Sequence, residues 1–150
     1  MAQQAHLEAA RVRRETLHEA LIGLEDALTT PIGDAAHWRL RVAMAVDHAA
    51  QRLHDHIRQT EAPDGFLQRV VQDDPRMACR ADRLARDHGP LQEAVERLQR
   101  TLATIADEEV VEHGHEVRNQ ALDLMTALMR HRQRGADLIY EAYQVDIGAQ

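Results

Sequence analysis

The fold class is decided by residues 77–105, which read MACRADRLARDHGPLQEAVERLQRTLATI. Apolar residues recur there alternately four and three positions apart, so they form one stripe of a helix, the inward seam of a bundle. The seam positions are Met77, Ala81, Leu84, His88, Leu91, Val95, Leu98, Leu102 and Ile105. Gly89 and Pro90 interrupt this helix. We expect Pro90 to kink it, or to start it afresh from a cap at Asp87.

Three further segments carry the same rhythm, and turn-forming residues separate them. The breaks fall at residues 29–34, 62–65, 73–75 and, more weakly, 107–109. Helices of roughly 25 to 30 residues joined by short loops predict an all-α fold, an antiparallel up-down-up-down four-helix bundle. We expect residues 1–150 to form one domain. The first helix carries one polar interruption of its seam, Arg14.

The composition agrees with helices and excludes several classes of function. Aromatic residues make up 3% of the 150 residues, which argues against an all-β fold. All 18 basic residues are arginine, and 25 acidic residues bring the net charge to −7, which disfavours nucleic acid and anionic membranes as partners. The chain has no lysine for a Schiff base and no serine nucleophile.

The expected location is the cytoplasm. The start of the chain lacks the basic and apolar regions of a signal peptide, and no apolar run is long enough for a membrane span. The single cysteine, Cys79, can form neither an internal disulfide nor a cysteine-rich zinc site. Arginine used without lysine suggests a GC-rich bacterial source.

Ten histidines are the most unusual feature of the sequence. Three of them, His56, His88 and His131, lie at seam positions of the second, third and fourth helices. Counting about 1.5 Å per residue brings the three to a similar height in the bundle. Buried imidazoles need partners, and one metal ion can satisfy several at once. Core histidines with separate hydrogen bonds are the other interpretation.

The first helix offers two further histidines, His6 and His18, which flank the seam. Height favours His6, so the ligand on this helix stays open on geometry alone. Glu15 and His18 also match the Glu-x-x-His pair of ferritin-like di-iron bundles, as do Glu112 and His115. His115, however, points away from the seam.

The residues around the seam histidines resemble those of the hemerythrin-like (HHE cation-binding) family over roughly residues 18–147. The matching stretches are Leu84-x-x-Asp87-His88, Leu128-x-x-His131, His56-Ile-Arg-Gln-Thr-Glu61 and His131-Arg-Gln-Arg-Gly-Ala-Asp137-Leu-Ile-Tyr-Glu141. The resemblance implies a four-helix bundle with non-haem iron at its centre, one or two ions, and manganese or zinc as alternatives. It implies metal ligands at His18, His56, Glu61, His88, His131 and Asp137, with Glu141 in reserve.

The ligand set departs from the family pattern. Four residues after the seam histidines, where the family has further ligands, stand Thr60, Gln92 and Gly135. Glu61 and Asp137 lie one and two positions later. Because each residue turns a helix by about 100°, both reach the centre only if the helices are locally distorted.

Two functions follow as hypotheses. The first is a non-haem iron protein that handles O2, peroxide or nitric oxide, or oxidises a small organic substrate. The second is a metal-free bundle that keeps the fold and binds a partner. Metal binding requires the seam histidines to converge, whereas a lapsed site lets them pair separately. Arg130, Arg132 and Arg134 form a solvated face on one interpretation and a docking site for an anionic substrate on the other.

Overall fold

The computed structural model describes residues 1–144, and the chain over that range is all-helical, as predicted. The α-helices in chain order are α1 (Ala2–Thr29), α2 (Ala35–Glu61), α3 (Phe66–Asp73), α4 (Ala78–Arg86), α5 (His88–Thr104) and α6 (Val110–Tyr143). Short 3-10 turns, Pro75–Met77 and Asp107–Glu109, lead into α4 and α6. None of the helices within residues 1–144 has the length and apolar character that crossing a membrane requires.

The long helices form a closed bundle. Helix α1 packs against α2, α2 against α5, α5 against α6, and α6 again against α1. The side chain of Asp34 accepts a hydrogen bond from the backbone N–H of His37 at 3.1 Å, so Asp34 is the N-cap of α2.

The buried apolar residues form two clusters. The larger, the main core, lies between α1, α2, α5 and the first half of α6. The smaller, the end core, joins α1, α3, α4 and the end of α6, and consists of Ala10, Phe66, Leu67, Val70, Ala81, Leu84, Leu138 and Ile139. Helix α6 is the longest element and contributes to both.

The third predicted helix is interrupted at Asp87, which separates α4 from α5 but keeps helical backbone angles, φ −64° and ψ −26°. Pro90 lies in the first turn of α5, where backbone N–H groups have no acceptor within the helix, so it removes no hydrogen bond. Asp87 is the N-cap residue by position, but its carboxylate does not cap the helix. It contacts His131 and Arg134 of α6 instead.

Gly65 makes possible the tight turn between α2 and α3. A Cβ atom at this position would lie 2.7–2.8 Å from the backbone carbonyl oxygens of Gln59, Thr60 and Ala62. Only glycine therefore fits without a shift of the backbone. The turn sets α3 against α2 and brings Phe66 to the pocket beside the seam histidines.

Candidate metal centre

The three seam histidines lie together where the main core meets the end core. One ring nitrogen from each of His56, His88 and His131 lies within 4.8 Å of the other two, so the three could hold a metal ion. The Nε2 atoms of His56 and His131 are 3.0 Å apart. His88 and His131 are 3% and 2% exposed, and His56 is partly buried. The convergence that the sequence predicts for these residues is present.

In two of these histidines, the other ring nitrogen forms a hydrogen bond with a carboxylate. His88 Nδ1 lies 2.7 Å from an oxygen of Glu61, and His131 Nδ1 lies 3.1 Å from an oxygen of Asp87. An ionised carboxylate only accepts hydrogen bonds, so each Nδ1–H donates and each neutral ring keeps its lone pair on Nε2. Metal-binding histidines are commonly oriented in this way by a carboxylate behind the ring.

Asp87 is itself held by a cation. The Nη1 atom of Arg134 donates to both carboxylate oxygens of Asp87, at 2.9 and 2.8 Å. Burial on its own would raise the pKa of Asp87, but the hydrogen bonds from His131 and Arg134 outweigh it and lower the pKa. Asp87 is therefore an anion at neutral pH and can orient the ring of His131.

Two of the three histidines of the cluster, His56 and His131, favour the neutral form. Burial lowers the pKa of His56 to about 3, with smaller contributions from His131, His88 and Arg13. Burial also lowers the pKa of His131, although the hydrogen bond to Asp87 opposes the shift. Neutral imidazole is the form that binds metals, so His56 and His131 are available as ligands at neutral pH.

The buried nitrogens of the cluster fit a metal ion. Because His131 Nδ1 donates to Asp87, the hydrogen bond between the two Nε2 atoms needs a proton on His56 Nε2. His56 Nδ1 then carries no proton, and it is buried without a partner within residues 1–144. His88 Nε2 is likewise buried and unpaired there. Two nitrogens that bind one ion at about 2.1 Å lie roughly 3.0–3.4 Å apart, and the observed 3.0 Å separation falls in that range.

The structure does not bring two of the predicted ligands to the histidine cluster. His18 is exposed on α1. Asp137 is exposed on α6 and accepts a hydrogen bond from Gln133 of the same helix. Glu141, the reserve carboxylate, accepts from Arg80 at 2.6 Å. The angular step of the helix turns each of these side chains away from the seam.

Two further residues that the sequence offers as metal ligands, Glu61 and His6, do not lie where they could bind the same ion as the three histidines. Glu61 is 43% exposed and reaches the outer nitrogen of His88, so it lies behind the ring. His6, the alternative on the first helix, is buried in the end core, where its ring centroid lies 5.1 Å from that of Phe66. Burial first, and then Arg69 and Arg13, lower the pKa of His6.

The residues four positions after the seam histidines have surroundings of their own. The hydroxyl of Thr60 is buried and donates to the backbone carbonyl of His56, one turn earlier, at 2.8 Å. Gly135 faces the pocket beside the cluster, with Leu84 next to it. Gln92 is exposed on α5. None of these side chains reaches a ring nitrogen of the cluster.

Sequence reasoning missed what the first helix contributes to this site. Arg13 and Arg14 of α1, together with Arg132 of α6, line a pocket that is partly open to solvent and has the three histidines in its wall. Burial lowers the pKa of Arg13, and burial together with Arg14 lowers the pKa of Arg132 to about 10. The available signal was Arg14, the polar interruption of the first seam.

The chain matches no family model, and searches of curated proteins and of solved structures found no significant match. The hemerythrin-like resemblance therefore stays a prediction that depends on the histidine pattern.

Proposed function

We propose that this protein is a non-haem metal-binding bundle in which His56, His88 and His131 hold one transition-metal ion. The observation that supports the proposal is the convergence of one nitrogen from each ring within 4.8 Å. The carboxylates behind the rings of His88 and His131 add support, because they keep the proton on Nδ1 and leave the lone pair of Nε2 free to bind an ion. We extend the proposal to an antiparallel up-down-up-down, hemerythrin-like arrangement of the helices.

A single ion agrees better with the donors than a pair of ions does. Within residues 1–144, the group of donors close enough to share an ion consists of the three histidines alone. Glu61 and Asp137, which a second ion would need, bond elsewhere. Imidazole nitrogens suit iron and zinc alike. The hemerythrin-like resemblance makes iron the first candidate, with zinc or manganese as alternatives.

Three protein ligands leave coordination positions open, and a bound ion would supply Lewis acidity or redox chemistry there. The protein's own part is to orient the rings through Glu61 and Asp87, and to limit water at the site. The apolar walls of the pocket, including Leu17 and Phe66, serve that second purpose. A small molecule such as O2, peroxide, nitric oxide or an organic substrate is the expected partner.

One observation favours a second candidate, the metal-free bundle that binds a partner. At 3.0 Å, His56 and His131 can share a hydrogen bond without an ion. Thr60 and Gly135, at positions where the family has carboxylates, would then mark a site that no longer binds metal.

Elemental analysis of the full-length protein distinguishes the two candidates. Expression in medium supplemented with iron, and separately with zinc, should give about one ion per chain. We expect His56→Ala, His88→Ala and His131→Ala each to lose the ion. His54→Ala and His18→Ala are matched controls, because both residues are exposed histidines outside the cluster, and both should keep it.

Two results would contradict the proposal. About two ions per chain would mean that further carboxylates reach the site. No metal in the folded wild type, with circular dichroism unchanged in all variants, would leave the metal-free bundle.

A further inference from the structure

Three arginines surround the pocket beside the histidine cluster without a counter-ion. Within residues 1–144, no carboxylate lies within 4.0 Å of a guanidinium nitrogen of Arg13, Arg14 or Arg132. One nitrogen of each is buried without a hydrogen-bond partner there, Arg13 Nη2, Arg14 Nε and Arg132 Nε. Buried donors of a charged group are costly to leave unpaired, so this arrangement calls for an anionic partner.

The contrast with the rest of the molecule strengthens this point. Within the part of the chain that the structure describes, seven of the 18 arginines form ion pairs with acidic side chains. Outside the pocket, the arginines of this part without an ion pair are exposed, apart from Arg118, which donates to the backbone carbonyl of Leu28. Arg11 on α1 pairs with Glu8 and Glu15, and Arg134 on α6 pairs with Asp87. Within residues 1–144, the buried arginine nitrogens without a hydrogen-bond partner therefore all belong to the three arginines of this pocket.

The remaining wall of the pocket is apolar. Its apolar residues come from both cores and include Ala10, Leu17, Phe66, Leu67, Leu84 and Ile139. A small inorganic anion would satisfy the arginines but leave this wall in contact with water. A ligand with one anionic group and a short apolar body satisfies both parts, because guanidinium groups pair with carboxylates and apolar surface excludes water.

We propose that the pocket binds a small monocarboxylate, with its carboxylate on Arg13, Arg14 and Arg132 and its short hydrocarbon body against the apolar wall. The inference extends the proposed function by naming the class of ligand that lies beside the metal centre. Carboxylate binding by the arginines nonetheless does not require the ion, and this separates the two tests.

Isothermal titration of the full-length protein, dialysed against EDTA, with hexanoate tests the inference. We expect hexanoate to bind at least 10-fold more tightly than hexan-1-ol, which lacks the charge, and than acetate, which lacks the body. Arg14→Gln and Arg132→Gln should each weaken hexanoate binding at least 10-fold. Arg11→Gln and Arg130→Gln, on the same two helices and exposed, remove the same charge and should leave binding unchanged.

Each other outcome has a defined meaning. Equal binding by all four variants, no hexanoate binding at millimolar concentration, or tighter binding of inorganic phosphate would overturn the inference. Binding of hexanoate only after metal loading would overturn the role of the arginines and leave the metal centre standing. Hexanoate binding by a protein that takes up no metal would support the inference and contradict the proposed function.

Thermal melts of the same variants distinguish the loss of a ligand contact from the loss of the fold. Replacing an unpaired guanidinium relieves repulsion and desolvation, so Arg14→Gln and Arg132→Gln should melt no lower than the wild type. A variant that binds hexanoate weakly while melting at or above the wild-type temperature has lost a ligand contact rather than its fold.

Discussion

The main core and the end core differ in how they are built. Long helices line the main core, and its buried residues are almost all aliphatic. The end core depends on two short helices, on the turn at Gly65 and on polar links, such as the 2.6 Å hydrogen bond from Tyr143 to Asp73. The histidines and arginines lie between the two. We therefore expect burial in the main core to supply most of the stability and the end core to position the polar site.

The first test of this comparison removes one leucine from each core. Leu98 in the main core is 0% exposed, and Leu98→Ala should lower the free energy of unfolding by about 3–5 kcal/mol. Leu138 in the end core is 2% exposed, and Leu138→Ala should cost less, about 2–3 kcal/mol, because the shorter helices can relax around the cavity. Urea denaturation measures both. A larger loss for Leu138→Ala would reverse the comparison.

The second test acts on the turn that holds the end core in place. Gly65→Ala forces a Cβ against three backbone carbonyls and should cost about 1–3 kcal/mol in urea denaturation. Gly23→Ala on α1 is the matched control, because a Cβ there meets nothing within 4 Å. The control should gain up to about 1 kcal/mol from helix propensity. Equal effects of the two substitutions would disprove the steric account of Gly65.

The third test weakens the link between the helix break and the metal centre. Asp87→Asn removes the charge that orients His131 and should lower metal affinity about 10- to 100-fold, measured by competition with a chelator. Asp82→Asn is the control, since Asp82 pairs with Arg86 on the surface of α4. Unchanged affinity for Asp87→Asn would mean that the carboxylate does not support the ligand.

The smallest effect concerns acid. His56 has a folded pKa of about 3 against 6.5 when unfolded, so the unfolded chain takes up the proton first. The stability contributed by neutral His56 is complete above pH 6.5 and is lost as the pH falls toward 3. Between pH 7.5 and 5.5, in EDTA, the free energy of unfolding should drop by roughly 1 kcal/mol. His56→Gln should show a shallower dependence, and an identical one would exclude His56 as the cause.

The sequence predicted those features that helical periodicity controls. His56, His88 and His131 converge because the seam rhythm fixes their direction independently of the loops. His18 and Asp137 were expected from the family resemblance, but a displacement of one or two residues turns a side chain by 100° or more on an undistorted helix. The angular step therefore places both residues on the surface.

Other features of the site depend on geometry that periodicity does not encode. Asp87 contacts His131 from the junction of α4 and α5, whereas the sequence suggested a backbone cap for this residue. Arg13 and Arg132 enter the pocket on long side chains whose direction depends on which helices become neighbours. An arginine at a seam position therefore indicates such a pocket only when the arrangement of the helices is already known.

The continuous course of α6 has a consequence for cooperativity. Its 34 residues span about 50 Å and contribute to both cores with one hydrogen-bond ladder. Neither core can melt without fraying a helix that the other one needs, so we expect a single two-state transition. An ion or carboxylate bound at His131 and Arg132 would then stabilise the whole chain, in proportion to RT ln(1 + [L]/Kd), rather than the pocket alone.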